Sequence, residues 1–254
     1  MEQLPTTGRY AFLAEPFHCD FSQRLFMGHL GNQLLNAADF HSSEHGYGLR
    51  YLNTIGKTWV LSRLSIEMTD MPRMYDKFYI ETWIDDVFKS FTSRNFKILG
   101  TENHVYGYGK SMWAMIDTKS RQPVDLLAVN DGKITEYVEK GKSCPIEKSS
   151  RVKMGKTAEY ISSIDTYYND VDINGHINSI KYIEHVLDLW SLEWYEAHLL
   201  KRFEVAYVAE AHLGDKLKFY RAPASSTNTN DFFVRITKSN TEGETEVCRA
   251  RLLF

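Results

Sequence analysis

The stretch NDVDINGHINSIKY, from Asn169 to Tyr182, changes character midway. Its first part places Asp170, Asp172, Asn174 and His176 at alternate positions, and its second part enters an apolar stripe at Ile177, Ile180, Ile183, Leu187, Trp190 and Trp194. Alternate side chains of an extended segment share a face. A helix that starts just afterwards, over Ile177 to Leu199 by its three- and four-residue spacing, aims unpaired N–H groups at that face. A carboxylate, an amide, an imidazole and a partly positive helix end are the groups needed to hydrolyse a polarised acyl group. A single Asp or Asn here would read as a turn or cap. A cap needs one oxygen, whereas Asp170, Asp172, Asn174, His176 and Asn178 crowd one short stretch.

Outward from this stretch, Glu159–Tyr168 reads as a strand. Beyond the helix, Phe203–Ala211, Lys216–Ala222, Asp231–Ser239 and Glu246–Phe254 read as four more, from their β-branched and aromatic content and period-two alternation. The same order occurs earlier. Tyr10–His18 is a strand candidate, Gly28–Tyr47 a helix with a stripe through Leu30, Leu34, Ala37, Ala38 and His41, and Thr58–Met68, Lys77–Asp85, Ser90–Leu99 and Val105–Asp117 are strands. Strand, helix and four strands, twice, predicts an α+β double hotdog, two tandem repeats of a long helix wrapped by a curved antiparallel sheet. The boundaries expected are 1–129 for the first repeat, 130–156 for a polar linker and 157–254 for the second repeat.

Repetition permits an internal comparison. Aligning Gly28-His29-Leu30 with Gly175-His176-Ile177 sets Leu25 and Met27 where Asp172 and Asn174 stand. Aligning Tyr75-Asp76-Lys77-Phe78 with Gly214-Asp215-Lys216-Leu217 sets Met71 opposite Glu210. On these registers only the second half is chemically equipped. The first half is then expected to supply apolar wall for a long acyl chain, with Met27, Met68, Met71 and Met112 as flexible lining residues. His29 reads as a satisfied interior histidine.

Composition excludes several classes. Hydrophobic content of 43% with 25% charged residues is that of a globular protein, and no window approaches a membrane span. A net charge of -3 offers no overall attraction to nucleic acid. Cys19, Cys144 and Cys248 are too few and too scattered for a disulfide framework or a zinc site. The first residues lack a basic start followed by an apolar run, so a cytoplasmic location is expected.

The residues also resemble a known family, the acyl-acyl carrier protein (acyl-ACP) thioesterases of plant plastids and bacteria. The resemblance rests on Trp59-Val60-Leu61-Ser62-Arg63-Leu64, on Glu81-Thr82-Trp83, and most closely on the stretch from Asp170 to Ile183. It implies a double hotdog, no cofactor and no metal, and hydrolysis of the thioester that joins a fatty acyl chain to the phosphopantetheine arm of acyl carrier protein. It carries the catalytic roles to Asp172, Asn174, His176 and Glu210. Family members often follow that Glu with Cys, whereas this chain has Ala211, which points to water rather than a thiol as nucleophile.

On this reading, backbone N–H groups from Gly175 to Ile177 bind the substrate and stabilise the oxyanion. Glu210 or Asp172 takes a proton from water, His176 positions the water or protonates the leaving thiolate, and Asn174 holds an oxygen. Asn178 and Tyr182 are expected to be structural. The basic cluster Lys148, Arg151, Lys153 and Lys156 is a candidate contact for an acidic carrier protein. No membrane or nucleic-acid partner is expected, and a homodimer is compatible with the repeat. Competing readings are an acyl-CoA thioesterase, a hotdog dehydratase and a non-catalytic acyl-binding module; the last is disfavoured by carboxylates that a passive apolar pocket would not need.

Overall fold

The computed structural model describes residues 4–155, 157–241 and 243–254, which leaves Lys156 of the basic cluster outside the described residues. The chain forms two compact units that divide after Lys148. In the first, β1 (Thr7–Leu13) leads to α1 (Met27–Glu44), the short α2 (Leu49–Thr54), and then β2 (Lys57–Met68), β3 (Lys77–Val87), β4 (Phe91–Leu99) and β5 (Val105–Asp117). These strands pair antiparallel in the order β1-β3-β4-β5-β2. In the second, β6 (Glu159–Asp165), α3 (Ser179–Leu187) and α4 (Leu192–Ala197) precede β7 (Arg202–Tyr207), β8 (Lys216–Pro223), β9 (Asp231–Asn240) and β10 (Gly243–Leu253). The order here is β6-β8-β9-β10-β7, again antiparallel. Position for position it is the order of the first sheet.

Helix α1 contacts β1 and β3 and buries Leu30, Leu34, Ala37, Ala38 and His41, the stripe its spacing predicts. Each Leu hidden in this way contributes about 2 kcal/mol. Both sheets contain bulges, at Leu61/Arg63 and Ile84/Asp86 in the first and Tyr160/Ser162 and Glu246/Cys248 in the second. An extra residue on one strand sharpens the local twist, which helps a sheet curve around a helix.

Several elements differ from the sequence expectations. β1 lies earlier than Tyr10–His18, because Pro16 opens a 3-10 turn ending at His18. The second helix is two helices: Asp188 closes α3, and the Ser191 hydroxyl accepts from the Trp194 amide to start α4. Ile177 lies outside it, because Asn178 caps α3. The strand expected over Phe203–Ala211 stops at Tyr207, which leaves Glu210 in the following loop. Finally, 130–137 is not free linker: it forms a 3-10 segment whose Ile134 is buried with Tyr47, Leu52, Ile84 and Met115, and whose Ile134 amide donates to the Tyr47 hydroxyl at 2.9 Å. Among the described residues, no helix is long and apolar enough to cross a membrane.

The first unit also buries a guanidinium. Arg94 donates to His41 Nδ1 at 3.1 Å, Thr82 Oγ1 at 3.2 Å and Ser42 Oγ at 3.0 Å. Burial, then the Arg94 charge and His45, push the His41 imidazole down to about 3. In the unfolded chain His41 titrates near 6.5, so between these values only the unfolded state takes the proton, and stability must fall as pH falls through that window. The urea midpoint of the first unit is expected to drop from pH 6.5 to pH 4 by the equivalent of about 3 kcal/mol. His41→Gln, which cannot titrate, should flatten that decline; an unchanged pH profile in this variant would show that His41 is not its source.

Candidate active site

Two loops of the second unit build the site. In the first, the Asp172 amide donates to the His176 carbonyl at 2.8 Å, and the Gly175 amide donates back to the Asp172 carbonyl at 3.0 Å. The Asp172 Oδ1 accepts from the Asn174 amide at 2.8 Å and the His176 amide at 3.1 Å. This tight turn requires a left-handed residue, and Gly175 supplies it with φ +82°. Asn178 then caps α3 by accepting from the Ile180 amide at 2.9 Å. Behind the loop, Asp170 accepts from the Tyr167 amide at 2.7 Å and contacts His185 Nε2 at 3.2 Å.

The second loop follows β7. The buried Asp215 accepts from the His212 amide at 2.8 Å and from Asn240 Nδ2 at 3.0 Å, and Thr166 Oγ1 accepts from the Gly214 amide at 2.9 Å. One bond joins the loops: the Ile177 amide donates to the Ala211 carbonyl at 2.8 Å. Flanking that bond, His176 Nε2 lies 3.3 Å from Glu210 Oε2, with side chains 21% and 38% exposed. The His212 ring stands edge-on to His176 with centroids 4.9 Å apart. An imidazole and a carboxylate in contact, both reachable by water, can exchange a proton with a reacting group.

The structure thus brings His176 and Glu210 together, with Asn174 exposed on the same loop. It assigns the Asp172 Oδ1 to holding backbone amides. The amides from Gly175 to Ile177, expected to form an oxyanion hole, all donate within the protein, to the Asp172 carbonyl, the Asp172 carboxylate and the Ala211 carbonyl. Gly175 is exposed and Ile177 buried. Met27, Met68 and Met71 are buried in the first unit and Met112 is half-buried. His212 was not anticipated; its only sequence signal was a second histidine close to Glu210.

The first unit contains the same loop. The Asp20 amide donates to the Arg24 carbonyl at 2.7 Å, the Gln23 amide to the Asp20 carbonyl at 2.9 Å, and the Leu25 amide to the Pro72 carbonyl at 2.9 Å. The Asp20 Oδ1 accepts from the Ser22 and Arg24 amides at 2.8 Å and 3.2 Å. Asp20 therefore corresponds to Asp172, Ser22 to Asn174, Arg24 to His176 and Pro72 to Ala211. The Gly-His alignment of the halves is corrected: His29 lies in α1, beyond its loop, and is not the counterpart of His176. The alignment of Met71 with Glu210 agrees with the Pro72 and Ala211 bonds.

Comparison with known proteins identifies the family. The acyl-ACP thioesterase N-terminal domain model matches residues 9–131, and the C-terminal domain model matches residues 154–254. A crystal structure of an acyl-ACP thioesterase from Bacteroides thetaiotaomicron is 44% identical, with 98% of each chain covered and a TM-score of 0.89. The chain belongs to the acyl-ACP thioesterase family. The 12:0-ACP thioesterase from Umbellularia californica has the same fold at 19% identity, with a TM-score of 0.82 over 100% of this chain and 98% of that one. The chloroplastic palmitoyl-acyl carrier protein thioesterase of Gossypium hirsutum is 23% identical over 68% of this chain, a match that spans 43% of that protein's length.

In this acyl-ACP thioesterase family member, the position after Glu210 is the buried Ala211. Burial foremost pushes all three thiols up, Cys248 furthest, which disfavours thiolate formation. The duplicated loop separates architecture from chemistry by experiment. Asp20→Ala and Asp172→Ala should each destabilise their own unit by about 2 kcal/mol, the net worth of two hydrogen bonds to a carboxylate in a tight loop. Only the second is expected to impair turnover. Unfolding curves and hydrolysis rates check this, and a catalytically dead but fully stable Asp172→Ala would assign that carboxylate a direct chemical role.

Proposed function

We propose that this chain hydrolyses the thioester of fatty acyl-ACP, releasing free fatty acid and carrier protein, with His176 and Glu210 at the reacting carbonyl. The observation that carries this reading is their 3.3 Å contact across two braced loops in a member of this family. Glu210 accepts a proton from water as its oxygen adds to the thioester carbon. Glu210 passes that proton across the 3.3 Å contact to His176; the tetrahedral adduct then collapses, the C–S bond breaks, and the phosphopantetheine thiolate takes the proton from His176. With the nearby amides committed, the exposed Asn174 side-chain amide would donate to the oxyanion. Asp172 positions both residues by shaping their loop. Basic residues including Arg151 and Lys153 would attract the carrier.

Glu210→Gln and His176→Ala should each lower kcat/KM by roughly a hundredfold or more while preserving the circular-dichroism spectrum. The assay is released fatty acid from a panel of acyl-ACPs, with the same chains on CoA alongside. Near-normal turnover by both variants would remove the scheme. Faster hydrolysis of the CoA series would reassign the substrate, and an enoyl thioester product would indicate dehydration instead.

A further inference from the structure

His212 is not needed for the proton transfers proposed above, yet it completes a group with distinct chemistry. One ligand atom from each of His176, Glu210 and His212 lies within 4.8 Å of the others. We propose that these three side chains form a binding site for a divalent zinc-type cation, and that occupation of this site blocks hydrolysis. The inhibitory part rests on the hydrolase reading; the binding part does not.

Two imidazoles and a carboxylate suit zinc. Bonds of about 2.1 Å at tetrahedral angles place ligand atoms about 3.4 Å apart. His176 Nε2 and Glu210 Oε2 are already 3.3 Å apart. The ring planes of His176 and His212 differ by 71°, so their in-plane lone pairs can converge on one point. The backbones that carry these ligands are braced: the Ile177–Ala211 bond lies between them, Asp172 holds the His176 amide, and Asp215 holds the His212 amide. His212 is exposed, so the group can be reached by a cation from solvent.

A second grouping, Glu15, His18 and His29 in the first unit, has similar composition and spacing. Its two rings stack face to face at 3.6 Å with planes only 15° apart, which keeps their lone pairs nearly parallel. His18 Nδ1 is also engaged by Glu15 Oε2 at 2.6 Å. Geometry therefore favours the grouping in the second unit. A cation bound there takes the lone pair of His176 and the charge of Glu210, the two groups that hydrolysis requires.

Calorimetric titration of the full chain with zinc chloride tests this, together with the visible absorption of the cobalt(II) form. One equivalent should bind. His212→Ala and Glu210→Gln should each weaken binding by at least about tenfold, whereas His18→Ala should not. Zinc should suppress fatty acid release with a midpoint matching the calorimetric Kd, and a chelator should restore it. Absence of binding, binding untouched by His212→Ala, or binding abolished by His18→Ala would overturn the site. Full hydrolysis at saturating zinc would overturn the inhibition. A chain that binds zinc as described but releases no fatty acid would sink the hydrolase reading alone.

Discussion

The hydrogen bond from the Ile177 amide to the Ala211 carbonyl holds the site together. It spans two loops far apart in sequence and fixes the separation between the residue before Ile177 and the residue before Ala211. Those neighbours are His176 and Glu210. Because each loop is braced internally, by the Asp172 carboxylate on one side and Asp215 on the other, the contact between imidazole and carboxylate is set by backbone geometry. Preorganisation of this kind lets a half-exposed pair act without being buried.

The first unit shows the same scaffold with different side chains. Its loop repeats the hydrogen bonds of the second through Asp20, with Gln23 in the left-handed position that Gly175 fills opposite. At the two functional positions it carries Arg24 and Met71. Met71 is 6% exposed, an environment that suits a thioether and would penalise an unpaired carboxylate. The repeated Asp therefore belongs to the turn, and the two halves are distinguished by the side chains the turn presents.

Histidine behaviour in this chain follows burial and partners more than sequence context. His41, sealed beside the Arg94 guanidinium, is held neutral well below its ordinary range. For His185, burial opposes the proton most strongly, yet Asp188 and Asp170 together outweigh it and raise the imidazole. His176 is partly exposed and contacts Glu210. One residue type thus serves as core packing, as a bracing partner and as a candidate proton carrier.

Period and composition are local, so the sequence alone determined the repeated strand and helix order, the apolar stripe of α1, and the crowding of Asp172, Asn174 and His176 before the second helix. The resemblance singled out Glu210. Local pattern did not reveal that the second helix breaks at Asp188, because no Gly or Pro marks the break and Ser191 restarts the helix with its own cap. Nor could it align the duplicated loops: they share backbone hydrogen bonds and a single Asp, and a chance Gly-His pair gave a stronger textual match. Only the tertiary structure decided which amides were already spent, which oxygen of Asp172 served the loop, and that His212 turned toward His176. Those outcomes depend on hydrogen-bond partners distant along the chain, and the positions of such partners are set only when the loops close on one another.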